Sequence, residues 1–319
     1  MRAALALSER SRGRTAPNPN VGCVIVSEGR VVGRGWTQPG GRPHAEAMAL
    51  EQAGEGARGA TAYVTLEPCA HVSPRGPACS DLLVEAGVAR VVVATGDPDS
   101  RTNGKGLERL RAAGIETVIG IGADAAQRSM AGFFTRQRYG RPFITLKLAM
   151  SLDGAIAMAD GRSKWITGEF ARRHSHVERS RHEMIVVGRG TLNADQPSLD
   201  VRLPGLEDRR PDRLLLTMQD VDVPAGWRTI NAPGDVLTDD LRGDHILVEG
   251  GADTAASFLS ADLVDRLLLY RAPILVGNGR TLGGYGLEDL ADAHGRWHRL
   301  DTRRLGSDTL DVYERVRSE

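Results

Sequence analysis

His44 and Glu46, two residues apart, and the later pair Cys69 and Cys79 are the residues whose types and spacing carry chemistry most directly. One imidazole and two thiolates suit tetrahedral zinc, and three protein ligands leave the fourth position open to water. Zinc held in this way lowers the pKa of that water toward neutrality. Glu46 then stands where an acid/base is needed, moving protons between the water and a departing amine. A His-x-Glu followed by Pro-Cys, here Pro68-Cys69, is the pattern of zinc nucleobase deaminases, in which the acid is not a ligand. In the nucleic-acid editors the second cysteine follows after two residues, whereas nine lie between Cys69 and Cys79.

Taken singly, each of these residues is more often a packed side chain than a ligand, and the weight lies in their conjunction and in the elements that must position them. A helical pattern over 44–52 starts on the His-x-Glu, with Ala47, Met48 and Leu50 able to face a core. The strand-like run 62–66 precedes Pro68-Cys69, and Cys79 opens a helical stretch over 81–86. Helix starts favour thiolate over thiol. The third cysteine, Cys23, lies inside the strand-like 21–26 and reads as a small core residue. Neither a leader nor a dense cysteine framework suggests disulfides.

The chain has 319 residues, enough for two sizeable cores, and balances 41 basic against 41 acidic side chains. That balance gives no general field toward nucleic acid or membrane, and no apolar run has the length of a spanning helix. The start reads as a short amphipathic helix rather than a secretory signal, so the cytoplasm is the expected location.

Strands and helices alternate throughout. A hairpin over 21–26 and 30–36 is followed by helix, strand (62–66), helix, strand (88–94), helix (107–113), strand (115–120) and a helix over 123–138. This order predicts an α/β fold with a mixed or mostly parallel sheet and helices on both faces. Tyr139-Gly140-Arg141-Pro142 is a break, and the expected domains are 1–140 and 141–319. A second alternation follows, with strands at 143–149, 184–187, 213–217, 245–248, 266–270 and 273–276 and helices at 170–181 and 254–259. Glu249-Gly250-Gly251 sits at a strand-to-helix turn, where backbone N–H groups can approach a phosphate. Gly277-Asn278-Gly279-Arg280 repeats the theme. No G-x-G-x-x-G follows a first strand, which disfavours an ordinary Rossmann site.

Longer blocks carry a specific resemblance. These are Gly13-Arg14-Thr15-Ala16-Pro17-Asn18-Pro19-Asn20-Val21-Gly22-Cys23-Val24, Pro43-His44-Ala45-Glu46 and Leu66-Glu67-Pro68-Cys69-Ala70-His71 in the first half. In the second half they are Lys147-Leu148-Ala149-Met150-Ser151-Leu152-Asp153-Gly154, Ser163-Lys164-Trp165-Ile166-Thr167 and Gly190-Thr191-Leu192-Asn193-Ala194-Asp195-Gln196-Pro197. In order and over the whole length, the chain resembles the bifunctional riboflavin-biosynthesis family, diaminohydroxyphosphoribosylaminopyrimidine deaminase / 5-amino-6-(5-phosphoribosylamino)uracil reductase. The resemblance implies a cytidine-deaminase-like three-layer α/β/α domain followed by a dihydrofolate-reductase-like α/β domain. It implies zinc-dependent hydrolytic deamination of a diaminopyrimidinone ribosylamino 5′-phosphate, then NADPH-dependent reduction of the ribosyl group to ribityl.

Carried across by motif, His44, Cys69 and Cys79 hold zinc and Glu46 is catalytic, while Asn18, His71 and Arg75 meet the first substrate. In the second half Ala149, Trp165, Thr191, Asp195 and the run Gly251, Ala252, Asp253, Thr254, Ala255, Ala256 and Ser257 bind NADPH. Lys147, Ser163, Arg179, Leu199, Arg202 and Glu249 line the second substrate. The chain departs from the family's common pattern in an inter-cysteine loop one residue longer, and at Thr37, Ala155 and Gln196, where the family often has a histidine, a basic residue and an aspartate. The expected partners are a phosphorylated pyrimidine and, by analogy, further copies in a dimer or tetramer, with no nucleic acid and no membrane. Two rivals stand beside this reading. A nucleic-acid deaminase is opposed by neutral charge and 4% aromatic residues, and a binding protein with structural zinc by the lack of an evident fourth ligand.

Overall fold

The structure is a computed structural model, and it describes residues 1–317 apart from Val72, Asp220, Asp239, Asp240 and Arg242. The backbone divides into two units, Met1–Arg141 and Pro142–Glu319, where the Gly/Pro break had suggested a boundary between 140 and 141.

The first unit runs α1 (Arg2–Ser8), β1 (Gly22–Ser27), β2 (Arg30–Trp36), α2 (Ala45–Ala53), β3 (Thr61–Val64), α3 (Cys79–Glu85), β4 (Arg90–Val93), α4 (Lys105–Ala112), β5 (Glu116–Ile119), α5 (Ala123–Ser129) and α6 (Ala131–Tyr139). Its sheet has the order β2-β1-β3-β4-β5. β1 pairs antiparallel with β2 and β3, and β3, β4 and β5 are parallel. Successive strand residues face opposite sides. On β1 Gly22 faces α1, where a Cβ would lie 2.0 Å from the Ala4 carbonyl oxygen. Its neighbour Cys23 is fully buried on the other side, beside Glu46 of α2. Helices therefore cover both faces, as the alternation predicted. The stretch expected as one helix over 123–138 is two, because Met130 leaves helical geometry (φ −101°, ψ 24°) with its side chain fully buried.

The second unit runs β6 (Phe143–Met150), α7 (Glu169–Arg179), β7 (Met184–Gly188), α8 (Arg189–Asp195), β8 (Asp212–Leu216), β9 (Trp227–Ile230), β10 (His245–Val248), α9 (Ala252–Ser260), β11 (Arg266–Arg271), β12 (Trp297–Leu305) and β13 (Asp308–Arg315). Its sheet has the order β12-β13-β11-β6-β10-β7-β8-β9. Every neighbouring pair from β11 to β9 is parallel, and β13 and β12 add antiparallel strands at one side. β7 (MIVVG) and β10 (HILV) are buried at every residue, as central parallel strands covered on both faces must be.

The expected strand over 273–276 does not form. Pro273 has no N–H to give, and the amides of Val276 and Gly277 are taken by the carboxylate of Asp153. The β12–β13 hairpin was not foreseen. Its outer strand reads Trp-His-Arg-Leu-Asp-Thr-Arg-Arg-Leu and has a neighbour on one side only, so little apolar alternation marks it. Among the described residues no helix is long and apolar enough to cross a membrane.

Candidate active sites

In the first unit the ligand set comes together because α2 can press onto β2. Gly35 leaves that room: a Cβ there would lie 2.0 Å from the Ala45 carbonyl oxygen. His44 is the N-cap of α2 and Glu46 lies in its first turn, while Cys79 is the first residue of α3. Cys69 follows β3 in the loop to α3. His44 Nδ1 is 3.3 Å from Cys79 Sγ and 3.6 Å from Cys69 Sγ, and all three donor atoms lie within 4.8 Å of one another. A tetrahedral zinc with N and S ligands at about 2.0 and 2.3 Å requires N···S edges of about 3.5 Å. The residues present therefore fit the ion, in number and in donor type.

The Cys69 sulfur is poised for metal. Cys69 is brought down to about 4, chiefly by its hydrogen bond with Cys79 and with help from His44, and the backbone N–H of Cys79 donates to it at 3.2 Å. The same pairing and burial push Cys79 upward. Glu46 is 3% exposed. Burial raises its carboxyl to about 7, with the Cys69 charge adding to the rise and His44 opposing it. An acid with that value changes protonation near neutral pH, as a proton carrier must.

Around this centre, Asn18 Nδ2 donates to the Gly41 carbonyl at 2.7 Å and lies 3.3 Å from His44 Nε2. Its own carbonyl oxygen faces no partner among the described residues. His71 Nδ1 is 3.4 Å from Thr102 Oγ1. Arg75 is exposed and reaches across to donate to the Gly40 carbonyl at 2.8 Å, so it closes the rim between the inter-cysteine loop and the loop before α2. Thr37 is 1% exposed and its hydroxyl accepts from the Val21 amide. It faces the protein rather than a ligand.

Sequence reading missed three residues here. Glu67 is buried, and its carboxylate accepts from the amides of Gly104 and Gly106 at 3.0 Å and of Asp97 and Leu107 at 3.3 Å. Burial raises Asp97 to about 7. Thr102, the partner of His71, is fully buried. Glu67 precedes Pro68-Cys69 in sequence, which was the available signal; the other two lay outside every motif.

In the second unit, β6, the C-terminal end of β10 and α7 collect a second cluster. Glu249, one residue past β10, receives both arms of the Arg179 guanidinium at 2.7 and 3.0 Å, and Lys147 Nζ of β6 is 3.7 Å away. The two cations hold the buried Glu249 carboxyl down at about 2 against the cost of burial. Arg179 also donates to the Asp200 carbonyl, which His176 Nδ1 approaches to 3.1 Å. Arg202 is close by, with its backbone N–H on His176 Nδ1 and its guanidinium 3.4 Å from the Asp200 carboxylate. Lys147, Arg179, Arg202 and Glu249 thus form one site, together with His176 and Asp200, which sequence reading did not name.

Ala149 lies two residues beyond Lys147 on β6, and Ser163 and Trp165 lie exposed on the loop after it. Trp165 is 66% exposed, with the Arg172 guanidinium 4.8 Å from its ring centre. Asp195 is paired with Lys164 at 2.7 Å, a partner sequence reading missed although it adjoins Trp165. The hydroxyl of Thr191 would be 4.0 Å from a Cβ on Gly251, so these two turns face each other.

Two placements differ from expectation. Leu199 is 3% exposed and packs with Ile185, Val187, Leu215 and Trp227, which leaves only its backbone toward a ligand. In the run 251–257, Ala255 and Ala256 are buried, the Ala255 amide bonds the Gly251 carbonyl, and the Ser257 hydroxyl bonds Thr254. The donors left for an anion are the first-turn amides of Ala252, Asp253 and Thr254. The backbone approaches closely there, since a Cβ on Gly250 would lie 2.3 Å from that of Thr254. An open helix start after a parallel strand fits the diphosphate of a dinucleotide.

Comparison with known proteins assigns both units. Residues 1–95 match the cytidine and deoxycytidylate deaminase zinc-binding region. Residues 142–241 and 235–310 match the RibD C-terminal domain. The riboflavin biosynthesis protein RibD of Escherichia coli is 40% identical over 97% of this chain and 96% of its own length. Its counterpart in Aquifex aeolicus is 37% identical over 99% and 97%. Among solved structures, Acinetobacter baumannii RibD superposes with a TM-score of 0.86 at 36% identity, covering 99% of this chain and 98% of that one. The deaminase/reductase of Thermotoga maritima superposes with a TM-score of 0.88 at 30% identity, covering 99% and 97%. The chain belongs to the RibD family of riboflavin-biosynthesis enzymes, with a zinc-dependent deaminase unit, a hydrolase, followed by an NADPH-using reductase unit, an oxidoreductase.

Proposed function

We propose that the two units act in sequence on one phosphorylated pyrimidine: the first removes a ring amino group by hydrolysis and the second reduces the ribosyl group to a ribityl chain. The observation that carries the first step is the His44, Cys69 and Cys79 set with the buried Glu46 carboxyl against it. Zinc, when bound, supplies the Lewis acidity that makes water a nucleophile near neutral pH. Glu46, at about 7, takes a proton at its carboxylate and returns it to the departing nitrogen. Asn18 offers its free carbonyl oxygen to a donor on the pyrimidine edge. His71 and Arg75, on the same loop, are the side chains placed to meet the substrate phosphate.

NADPH, when bound, supplies the reducing equivalents of the second step. Lys147 is the cation that β6 contributes, and it faces the Glu249 carboxylate, which Arg179 holds in turn. Arg202, exposed beside them, suits an anionic group of the substrate through charge-assisted bonds. Ala149, Thr191, Asp195, Trp165 and the first turn of α9 bind the dinucleotide. A homo-oligomer, dimer or tetramer, is proposed by analogy with the family alone; light scattering measures it. A cytoplasmic location agrees with a soluble phosphorylated substrate and NADPH.

The test is an assay on purified protein with the diaminopyrimidine ribosyl phosphate, following ammonia release and NADPH consumption separately, beside Glu46→Gln. Wild type gives both signals. The variant gives neither until deaminated substrate is added, and then consumes NADPH. Ammonia without NADPH loss would refute the second step, and NADPH loss without ammonia would refute the order.

A further inference from the structure

A reductase that uses NADPH rather than NADH needs a cation for the adenosine 2′-phosphate, the only group that distinguishes the two. Resting on the dinucleotide reading above, the sheet order places that group. β6, β10, β7 and β8 are adjacent, parallel and in that spatial order. Neighbouring strands lie about 4.8 Å apart, and ligands of open parallel sheets bind beyond the carboxyl ends of the strands. A dinucleotide laid across these ends has its reducing ring at Lys147 on β6 and Glu249 just past β10. Its diphosphate meets the first turn of α9, which follows β10. Its adenosine must then continue away from β6, over β7 toward β8.

Arg189 stands where that path leads. It is the residue after β7, it is exposed, and its Nη1 donates to Oε1 of Gln219, three residues past the end of β8. The contact ties the guanidinium across the two strand ends. Among the described residues no carboxylate pairs with Arg189, whereas Lys164 is already paired with Asp195 at 2.7 Å. Gly190, next in sequence, has open space where a Cβ would be, so nothing crowds a ribose there. Met218, 91% exposed between β8 and Gln219, offers an apolar surface for a base to cover.

We propose that Arg189, steered by Gln219, binds the 2′-phosphate of NADPH and sets the preference for NADPH over NADH. A guanidinium forks onto a phosphate with two charge-assisted bonds, and the neutral Gln219 side chain holds the fork without neutralising it.

The experiment is calorimetric titration of the full-length protein with NADP+, NAD+ and 2′,5′-ADP, for wild type, Arg189→Gln, Arg189→Lys and Gln219→Ala. Arg189→Gln weakens NADP+ and 2′,5′-ADP by roughly 10–100-fold, the loss of a charged bond pair, and leaves NAD+ within twofold. Arg189→Lys recovers part of the loss, and Gln219→Ala weakens NADP+ by a few-fold only. The unchanged NAD+ affinity reports an intact fold. An unchanged NADP+ affinity in Arg189→Gln overturns the proposal, as does an equal loss for NAD+. A wild type that binds neither dinucleotide overturns the reductase reading itself, which is a separable result.

Discussion

At the scale of single residues, both sites work by placing a charge where water is scarce, and they do so in opposite directions. Glu46 is pushed up to about 7 because burial outweighs its favourable partners. Glu249 is held down at about 2 because Arg179 and Lys147 outweigh burial. Glu46 is thereby suited to carry a proton and Glu249 to stay ionised and hold two cations. Glu46→Gln should lower the rate of ammonia release by about 10²–10⁴-fold with zinc content unchanged by metal analysis. For Glu249 the expected effect is on stability. Its folded value lies below the ordinary 4.5, so the stabilisation is present above pH 4.5 and is lost as pH falls toward 2. The gap is on the order of 3 kcal/mol. Urea unfolding should show Glu249→Gln less stable than wild type by about that amount at pH 7, with the difference shrinking below pH 4. A pH-independent difference would mean that the carboxylate is not what the cations hold.

At the scale of elements, the zinc site depends on contacts remote in sequence. Glu67 binds four amides around the start of α4 and thereby anchors residues 97–107 beside the Cys69 loop. Glu67→Gln turns one acceptor into a donor facing N–H groups, and should cost about 3 kcal/mol by urea unfolding and loosen zinc in a chelator competition. The ligands themselves were legible in the sequence because histidine and cysteine are scarce and their spacing matched a known chemistry. Glu67 was not, because a glutamate between Leu66 and Pro68 reads as a loop charge until its partners, 30 to 40 residues later, are seen. The buried strands β7 and β10 were legible as continuous apolar runs. The β12–β13 hairpin, whose outer strand carries Arg299, Arg303 and Arg304, was not, because an edge strand need not alternate. The Arg179–Glu249 pair was legible only through family resemblance, since an arginine beside Glu178 and Arg181 reads as decoration of a helix and its partner lies seventy residues away.

At the scale of the whole molecule, each unit holds its own apolar core: one is built around Cys23, Ile25, Ala45, Val64 and Val91, the other around Ile144, Leu146, Val186 and Ile246. Every zinc-type donor of the cluster belongs to the first unit, and the Lys147–Glu249–Arg179 set belongs wholly to the second. The two chemistries therefore have no side chain in common, although the product of one is the substrate of the other. Removing the metal separates them. After dialysis against a strong zinc chelator, ammonia release should fall below a hundredth of its starting rate and return on adding zinc, because water without the ion is a poor nucleophile at neutral pH. Supplied with deaminated substrate, the same zinc-free protein should consume NADPH at a rate within twofold of the untreated enzyme. A parallel loss of both activities would show that the second unit needs the first in its metal-bound form, and the independence read from the two cores would then be wrong.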